Sequence, residues 1–216
     1  MTDDTATAPA LALSREQRRL ALGRCGATVW LTGLPAAGKT TLSAALERAL
    51  LSGGYPAYRL DGDEVRRHLC GDLGFDRISR AENVRRVAEV ARLLADAGVV
   101  VLVALVSPYA ADRELARRLH SELGLPFIEV FVDTPIELCQ KRDPKGLYDR
   151  ARRGELHGFT GVDDPYEPPE HPDVHLTPGP IERSLQAVIE ALHGASGVMP
   201  AHAKLRSRLS EPKASR

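Results

Sequence analysis

Apolar positions along the chain fall into short blocks of two alternating kinds. Ala27-Thr-Val-Trp-Leu31 and residues 127–132 are compact β-type runs, and Tyr58-Arg-Leu60 is a shorter one. Residues 99–106 are continuously apolar and rich in β-branched side chains, the composition of a strand buried on both faces. Between these runs the spacing turns helical. Residues 39–51 form one such block, closed by Gly53-Gly54. Residues 80–97 form another, with Val84, Val87, Ala88, Ala91 and Leu94 on one face and Gly98 as the stop. Residues 111–123 and 135–142 add two more helices, and Ser14 with Gln17 has capping-box spacing for a short helix through Leu22. A last strand is predicted at 174–176 and a last helix at 181–193. Strands alternating with helices predict an α/β fold, a parallel sheet flanked by helices on both faces.

The ends and one internal stretch break this rhythm. Residues 1–13 have no periodic apolar pattern and read as a flexible arm, while residues 195–216 are rich in Ala, Ser, Pro and basic residues and read as a disordered tail. Pro and Gly cluster between Asp143 and Pro172, which predicts a mobile lid on a domain running from 14 to 194.

Charge and cysteine content narrow the class. Lys+Arg and Asp+Glu both number 29, a net charge of zero. That balance argues against coating nucleic acid or an anionic membrane, both of which draw on a positive excess. Cys25, Cys70 and Cys139 are far apart, offer no zinc spacing and suggest no disulfide framework. The acidic start Met-Thr-Asp-Asp is unlike a secretory signal, and the longest apolar run is far below the roughly 20 residues that a membrane-spanning helix needs. The expectation is a cytoplasmic protein.

The first piece of chemistry is Gly33-Leu-Pro-Ala-Ala-Gly38-Lys39-Thr40, which satisfies G-x-x-x-x-G-K-[ST] between a predicted strand and helix. It predicts a three-layer P-loop NTPase of the nucleotide-kinase type. Backbone N–H groups across Gly33, Ala36, Ala37 and Gly38 can converge on phosphate at the positive end of the helix. Lys39 would reach the β- and γ-phosphates of ATP, Thr40 would offer its hydroxyl to Mg²⁺, and Thr41 a further hydroxyl. Pro35 has no N–H to donate. The guanine-reading Asn-Lys-x-Asp of a GTPase is absent from the sequence, and 216 residues leave little room for a motor, so a small-molecule kinase is favoured.

Asp61-Gly62-Asp63 follows the predicted second strand, on the sheet edge that carries the phosphate loop. Two carboxylates there could orient waters of Mg²⁺ or accept a proton from an attacking hydroxyl.

Around these residues the chain resembles the adenylylsulfate kinase family, P-loop kinases that phosphorylate the 3′-hydroxyl of adenosine 5′-phosphosulfate. The matching pieces are Thr28-Val-Trp-Leu-Thr-Gly-Leu34, Leu60-Asp-Gly-Asp63, Asp72-Leu-Gly-Phe75 and Arg80-Ala-Glu-Asn-Val-Arg-Arg86. Ser107-Pro-Tyr109, Asp143-Pro-Lys-Gly-Leu-Tyr148 and Gly158-Phe-Thr-Gly-Val-Asp-Asp-Pro-Tyr166 follow in family order. The resemblance implies that Phe75 and Phe159 sandwich the adenine of the sulfate nucleotide, with Val106 and Gly158 beside it. It implies that Arg66, Arg80 and Asn83 bind its phosphosulfate and ribose, and that Lys145 contacts the nucleotide from the lid. Asp63, and after it Asp61, would accept the 3′-hydroxyl proton. For Ser107 the resemblance implies a phosphoserine. Direct in-line transfer needs no enzyme nucleophile, and no neighbouring His or Lys in sequence would activate it, so a hydrogen bond to nucleotide or to a water on Mg²⁺ is favoured. A homodimer and a sulfurylase partner are implied as well.

The departures from the family pattern are few. Glu64 replaces the usual Asn, which could weaken substrate affinity or place Arg66 by pairing. Pro35 and Ala36 replace the more typical Ser and Gly, and Ala110 replaces Arg. Two rival readings are a kinase for another hydroxylated metabolite and a weakly active adenylylsulfate-binding partner of a sulfurylase. Intact Lys39, Thr40 and Asp63 argue against the second.

Overall fold

The computed structural model describes residues 13–195; the expected arm and tail fall outside these residues, apart from Leu13 and Ala195. In chain order the elements are α1 (Arg15–Leu22), β1 (Ala27–Thr32), α2 (Lys39–Ser52), β2 (Ala57–Asp61), α3 (Gly62–Val65) and α4 (Arg77–Asp96). They continue with β3 (Val100–Ala104), α5 (Ala110–Ser121), β4 (Phe127–Val132), α6 (Ile136–Arg142), α7 (Leu147–Arg152), β5 (Val174–Leu176) and α8 (Ile181–Gly194). The five strands lie parallel in the order β2-β3-β1-β4-β5.

Side-chain alternation along the central strands builds two cores. Ala27, Val29 and Leu31 of β1 face one side with Val100, Leu102, Ile128 and Val130, beneath Leu46 and Leu50 of α2 and Val188 and Leu192 of α8. Trp30, Val101 and Val103 face the other, beneath Val87, Ala88 and Ala91 of α4 and Ala116 of α5. A strand covered on both faces cannot show polar alternation, which is why β3 reads as an unbroken apolar run, while β1 is buried along its whole length with Thr28 and Thr32 included. With helices on both faces, function is left to the carboxyl edge of the sheet.

Local signals place most boundaries. The capping box at Ser14 and Gln17 is present, and β4 and β5 have their expected limits. α4 begins three residues before the expected Arg80, because the Asp76 carboxylate accepts from the N–H groups of Ile78 and Ser79 and caps the helix earlier. α3 is a single turn capped by Asp61, too short for periodicity to reveal. The 143–172 stretch adds no strand to the sheet, as expected, but it does contain α7.

His120 is a buried part of this frame. Its Nε2 lies 2.8 Å from Thr28 Oγ1 and its Nδ1 2.8 Å from the Ala116 carbonyl. Burial pushes its pKa below the ordinary 6.5. The unfolded chain therefore takes up this proton first, so the stabilisation is complete above pH 6.5 and is lost as pH falls through the lower folded value. The melting temperature should decline on acidification below that point. In His120→Gln the decline should be shallower, and an unchanged pH slope would remove His120 as its source.

Candidate active site

The carboxyl ends of the strands open into one cleft of ≈ 1070 Å³. β1 ends in the phosphate loop and β2 in Asp61, while β3 leads to Ser107, β4 to Thr134 and β5 to Thr177. Gly33 sits at the loop's base with φ 147, and a Cβ there would lie 2.5 Å from the Val132 carbonyl, so only glycine lets the loop leave the sheet this closely. Ala36 adopts φ 60, a left-handed conformation that costs a residue with a Cβ roughly 1–2 kcal/mol. This is the position where Gly is the more typical residue, so the departure carries strain as well as lost freedom.

α2 starts at Lys39 with Gly38 as its cap, and among the described residues no side chain caps the N–H groups of its first turn. They are unfilled donors at the positive end of a 14-residue helix, the arrangement that binds phosphate. Lys39 curls back, donating to the carbonyls of Gly33 at 2.8 Å and Leu34 at 2.7 Å. Burial lowers its pKa to about 8, against the opposing pull of Asp61 and Asp63. Thr134 Oγ1 and Arg142 Nη1 donate to the Ala37 carbonyl, and Tyr148 Oη to that of Pro35. These three brace the loop from outside the motif, and nothing in its pattern pointed to them.

Asp61 and Asp63 have different surroundings. Asp61 is buried and fully engaged: Oδ2 accepts from Thr40 Oγ1 at 2.8 Å and from Arg59 Nη1 at 3.2 Å, while Oδ1 accepts the Asp63 N–H. Its oxygens hold the loop threonine and the turn that presents Asp63. Among the described residues the Asp63 carboxylate stands free of the backbone and pairs only with Lys145 from the lid. Geometry therefore separates a positioning carboxylate from an available one.

The far end of the cleft gathers Arg66, Phe75, Arg80, Asn83 and Phe159. Phe75 is 59% exposed and the Arg66 guanidinium lies 4.3 Å from its ring centre, so it is no core residue. Phe159 is half-buried, edge-on to Tyr148 with ring centres 5.0 Å apart. Arg80 donates to the carbonyls of Phe75 at 2.7 Å and Gly158 at 2.6 Å, tying together the two loops that carry the aromatics. Asn83 is buried and lines the cleft; among the described residues its amide has no full hydrogen bond and only the weak acceptor Cys70 Sγ beside it. A buried amide with only a thiol beside it would gain from a ligand oxygen, a stronger acceptor.

Ser107 is buried in the cleft wall with φ 39. Its Oγ accepts from Trp30 Nε1 at 3.1 Å and lies 3.0 Å from Thr32 Oγ1, and no His or Lys among the described residues hydrogen-bonds to it. Val106, Ala36, Ala37, Gly38 and Thr41 also line the cleft, but Gly33 and Gly158 do not and act through their carbonyls. Glu64 is exposed and outside the lining, and it makes no ion pair with Arg66, which donates instead to the carbonyls of Leu73 and Gly74. The expected placing of Arg66 by Glu64 is thus not what the structure shows.

Known proteins match this arrangement closely. Residues 25–177 fit the family model described as adenylylsulphate kinase. The chain belongs to the adenylylsulphate kinase family. An adenylyl-sulfate kinase of Aeromonas hydrophila is 53% identical over 76% of this chain and 83% of its own. The Mycobacterium tuberculosis APS kinase CysC, solved in complex with AMPPNP and APS, is 51% identical with a TM-score of 0.77, covering 79% of this chain and 99% of that one. A bifunctional enzyme CysN/CysC of the same species is 51% identical over 79% of this chain but only 28% of its own length. The P-loop kinase fold is shared with these family members, and among the described residues no helix is long and apolar enough to cross a membrane.

Proposed function

We propose that the protein is an ATP:adenylylsulfate 3′-phosphotransferase. The observation that carries this reading is one cleft lined both by a phosphate loop and by Arg66, Phe75, Arg80, Asn83 and Phe159. Its close similarity to a kinase solved with AMPPNP and APS supports it.

The α2 amides and Lys39 hold the triphosphate, Lys39 exchanging the carbonyls of Gly33 and Leu34 for phosphate oxygens. The donor set fits Mg²⁺: the hydroxyl of Thr40 in the first turn of α2 lies 2.8 Å from a carboxylate oxygen of Asp61 at the end of β2, and both are hard ligands. Thr40 would hold the ion and Asp61 would orient its waters, and the ion would neutralise charge on the β- and γ-phosphate oxygens. Stacking on Phe75 and Phe159 would contribute about 1–3 kcal/mol per face to adenine. Arg66 and Arg80 suit the phosphosulfate as planar forks, and Asn83 Nδ2 gains an acceptor on the ribose. Asp63 takes the 3′-hydroxyl proton as that oxygen attacks the γ-phosphorus in line, and the bond to the β-phosphate oxygen breaks to release ADP. Ser107, already held by Trp30 and Thr32, serves as a hydrogen-bonding wall rather than a nucleophile.

The same reading takes 14–194 as the kinase domain, with a lid at 143–172 that excludes water, and the working form as a cytoplasmic homodimer. A sulfurylase partner is supported by the match to one part of a longer bifunctional enzyme.

A coupled ADP-release assay tests the proposal. Release should require adenylylsulfate, and in Asn83→Leu the KM for adenylylsulfate should rise about tenfold or more while the melting temperature holds, since within the protein the amide loses only its weak contact with Cys70. Release that ignores adenylylsulfate and follows a sugar acid or another alcohol would replace the substrate. Tight adenylylsulfate binding without turnover would favour the binding-module reading.

A further inference from the structure

Arg113 of α5 is an arginine with 3% exposure whose guanidinium bonds three separate chain segments. Its Nε donates to Glu129 Oε1 of β4, Nη1 to the Ser107 carbonyl and Nη2 to the Glu167 carbonyl, each at 2.8 Å. Burying an ion pair gains little stability by itself, because desolvation offsets the attraction. What the buried fork does supply is fixed geometry: it joins the turn after β3 to the returning half of the lid.

That stretch is bound to the turn at several further points. Tyr109 Oη donates to Asp164 Oδ1 at 2.7 Å, Ala110 N–H to Glu167 Oε2 at 2.7 Å, and Glu167 N–H to the Pro108 carbonyl at 2.8 Å. Tyr166 Oη lies 3.0 Å from Thr32 Oγ1. From this anchor two aspartates reach back to the aromatic loop. Asp164 Oδ2 accepts from Thr160 Oγ1 at 3.2 Å and lies 3.8 Å from Arg80 Nε. Asp163 accepts from the N–H groups of Gly158 at 2.7 Å and Phe159 at 2.6 Å. Phe159 lines the cleft and is held from behind by Tyr148, so its loop is set by this chain of bonds.

We propose that Arg113 and Tyr109 are positioning residues that clamp residues 164–167 to the Ser107–Ala110 turn and thereby fix Phe159 for the acceptor nucleotide. The lid is then two parts, an outer part around α7 that carries Lys145 and a pinned return arm that forms a wall of the acceptor site. The inference rests on the acceptor assignment proposed above. It also predicts an asymmetry, since the bonds of Arg113 and Tyr109 themselves end on the return arm, the β3 turn and β4, and none ends on a phosphate-loop residue.

The test uses Tyr109→Phe and Arg113→Lys in the full chain. Tyr109→Phe keeps the ring, over which the Arg77 guanidinium lies at 3.9 Å, and removes only the bond to Asp164, so it reports even if Arg113→Lys fails to fold. Hydrogen exchange should quicken at residues 157–164 in both variants. The KM for adenylylsulfate should rise about tenfold, the loss typical of a hydrogen bond to a charged group, with the KM for ATP unchanged within about twofold. Unchanged exchange and unchanged KM would overturn the proposal. So would a parallel rise of both KM values with a lowered melting temperature, which is the signature of general destabilisation. If the wild-type protein shows no adenylylsulfate-dependent turnover, the substrate reading falls and the exchange measurement alone decides the clamp: faster exchange at 157–164 upholds it and unchanged exchange overturns it.

Discussion

Lys39→Ala should lower kcat by on the order of 10²–10³ while the protein keeps its melting temperature within a few degrees. That is the loss expected when one preorganised cation or donor aimed at developing charge is removed. The wild-type ammonium sits under the loop on the carbonyls of Gly33 and Leu34, within reach of any phosphate bound there. Its pKa of about 8 adds a pH signature. Charged Lys39 binds triphosphate and neutral Lys39 does not, so kcat/KM for ATP should fall as pH rises through about 8, the free-enzyme value. Bound triphosphate favours the charged form, so kcat should begin to fall only at a higher pH than kcat/KM. A kcat/KM for ATP that is flat from pH 7 to 9 would show that this lysine stays charged, and near-wild-type kcat in Lys39→Ala would remove it from the chemistry.

Asp63→Asn should lower kcat by about 10²–10⁴, the usual contribution of a positioned general base, with the KM for adenylylsulfate little changed. The substitution is nearly isosteric, and the Asp63 N–H that holds the turn is captured by Asp61, whose side chain is untouched. Asp61→Asn should behave differently. Asp61 accepts from Thr40, Arg59 and the Asp63 N–H together, so its loss should raise the KM for Mg-ATP as well as lower kcat. Equal kinetic profiles for the two variants would contradict the division of labour between them. A further comparison is Lys145→Ala, which removes the lid partner of Asp63 while leaving the carboxylate in place.

Much of this site is legible along the chain because its chemistry is local. A phosphate loop is a run of consecutive residues, so its amides, Lys39 and Thr40 are readable from the spacing alone. Arg80 and Asn83 lie three apart on α4 and share a face, as helical geometry requires. Other features stayed hidden because their partners are distant in sequence. Tyr148 braces Pro35 across 113 positions and Thr134 braces Ala37 across 97. Asp61 and Asp63 look equivalent as letters, and only burial and hydrogen bonding separate them.

Sequence by itself determined the parallel α/β frame, the phosphate loop and the family, because strand alternation, helix periodicity and loop chemistry act over a few residues and need no distant partner. Tertiary structure decided which carboxylate is free, where Arg66 points, that Ser107 is held by Trp30 and Thr32, and that Arg113 ties the return arm of the lid to the β3 turn. Those outcomes depend on which groups compete for each donor and acceptor once water is excluded, and that competition exists only after the chain has folded.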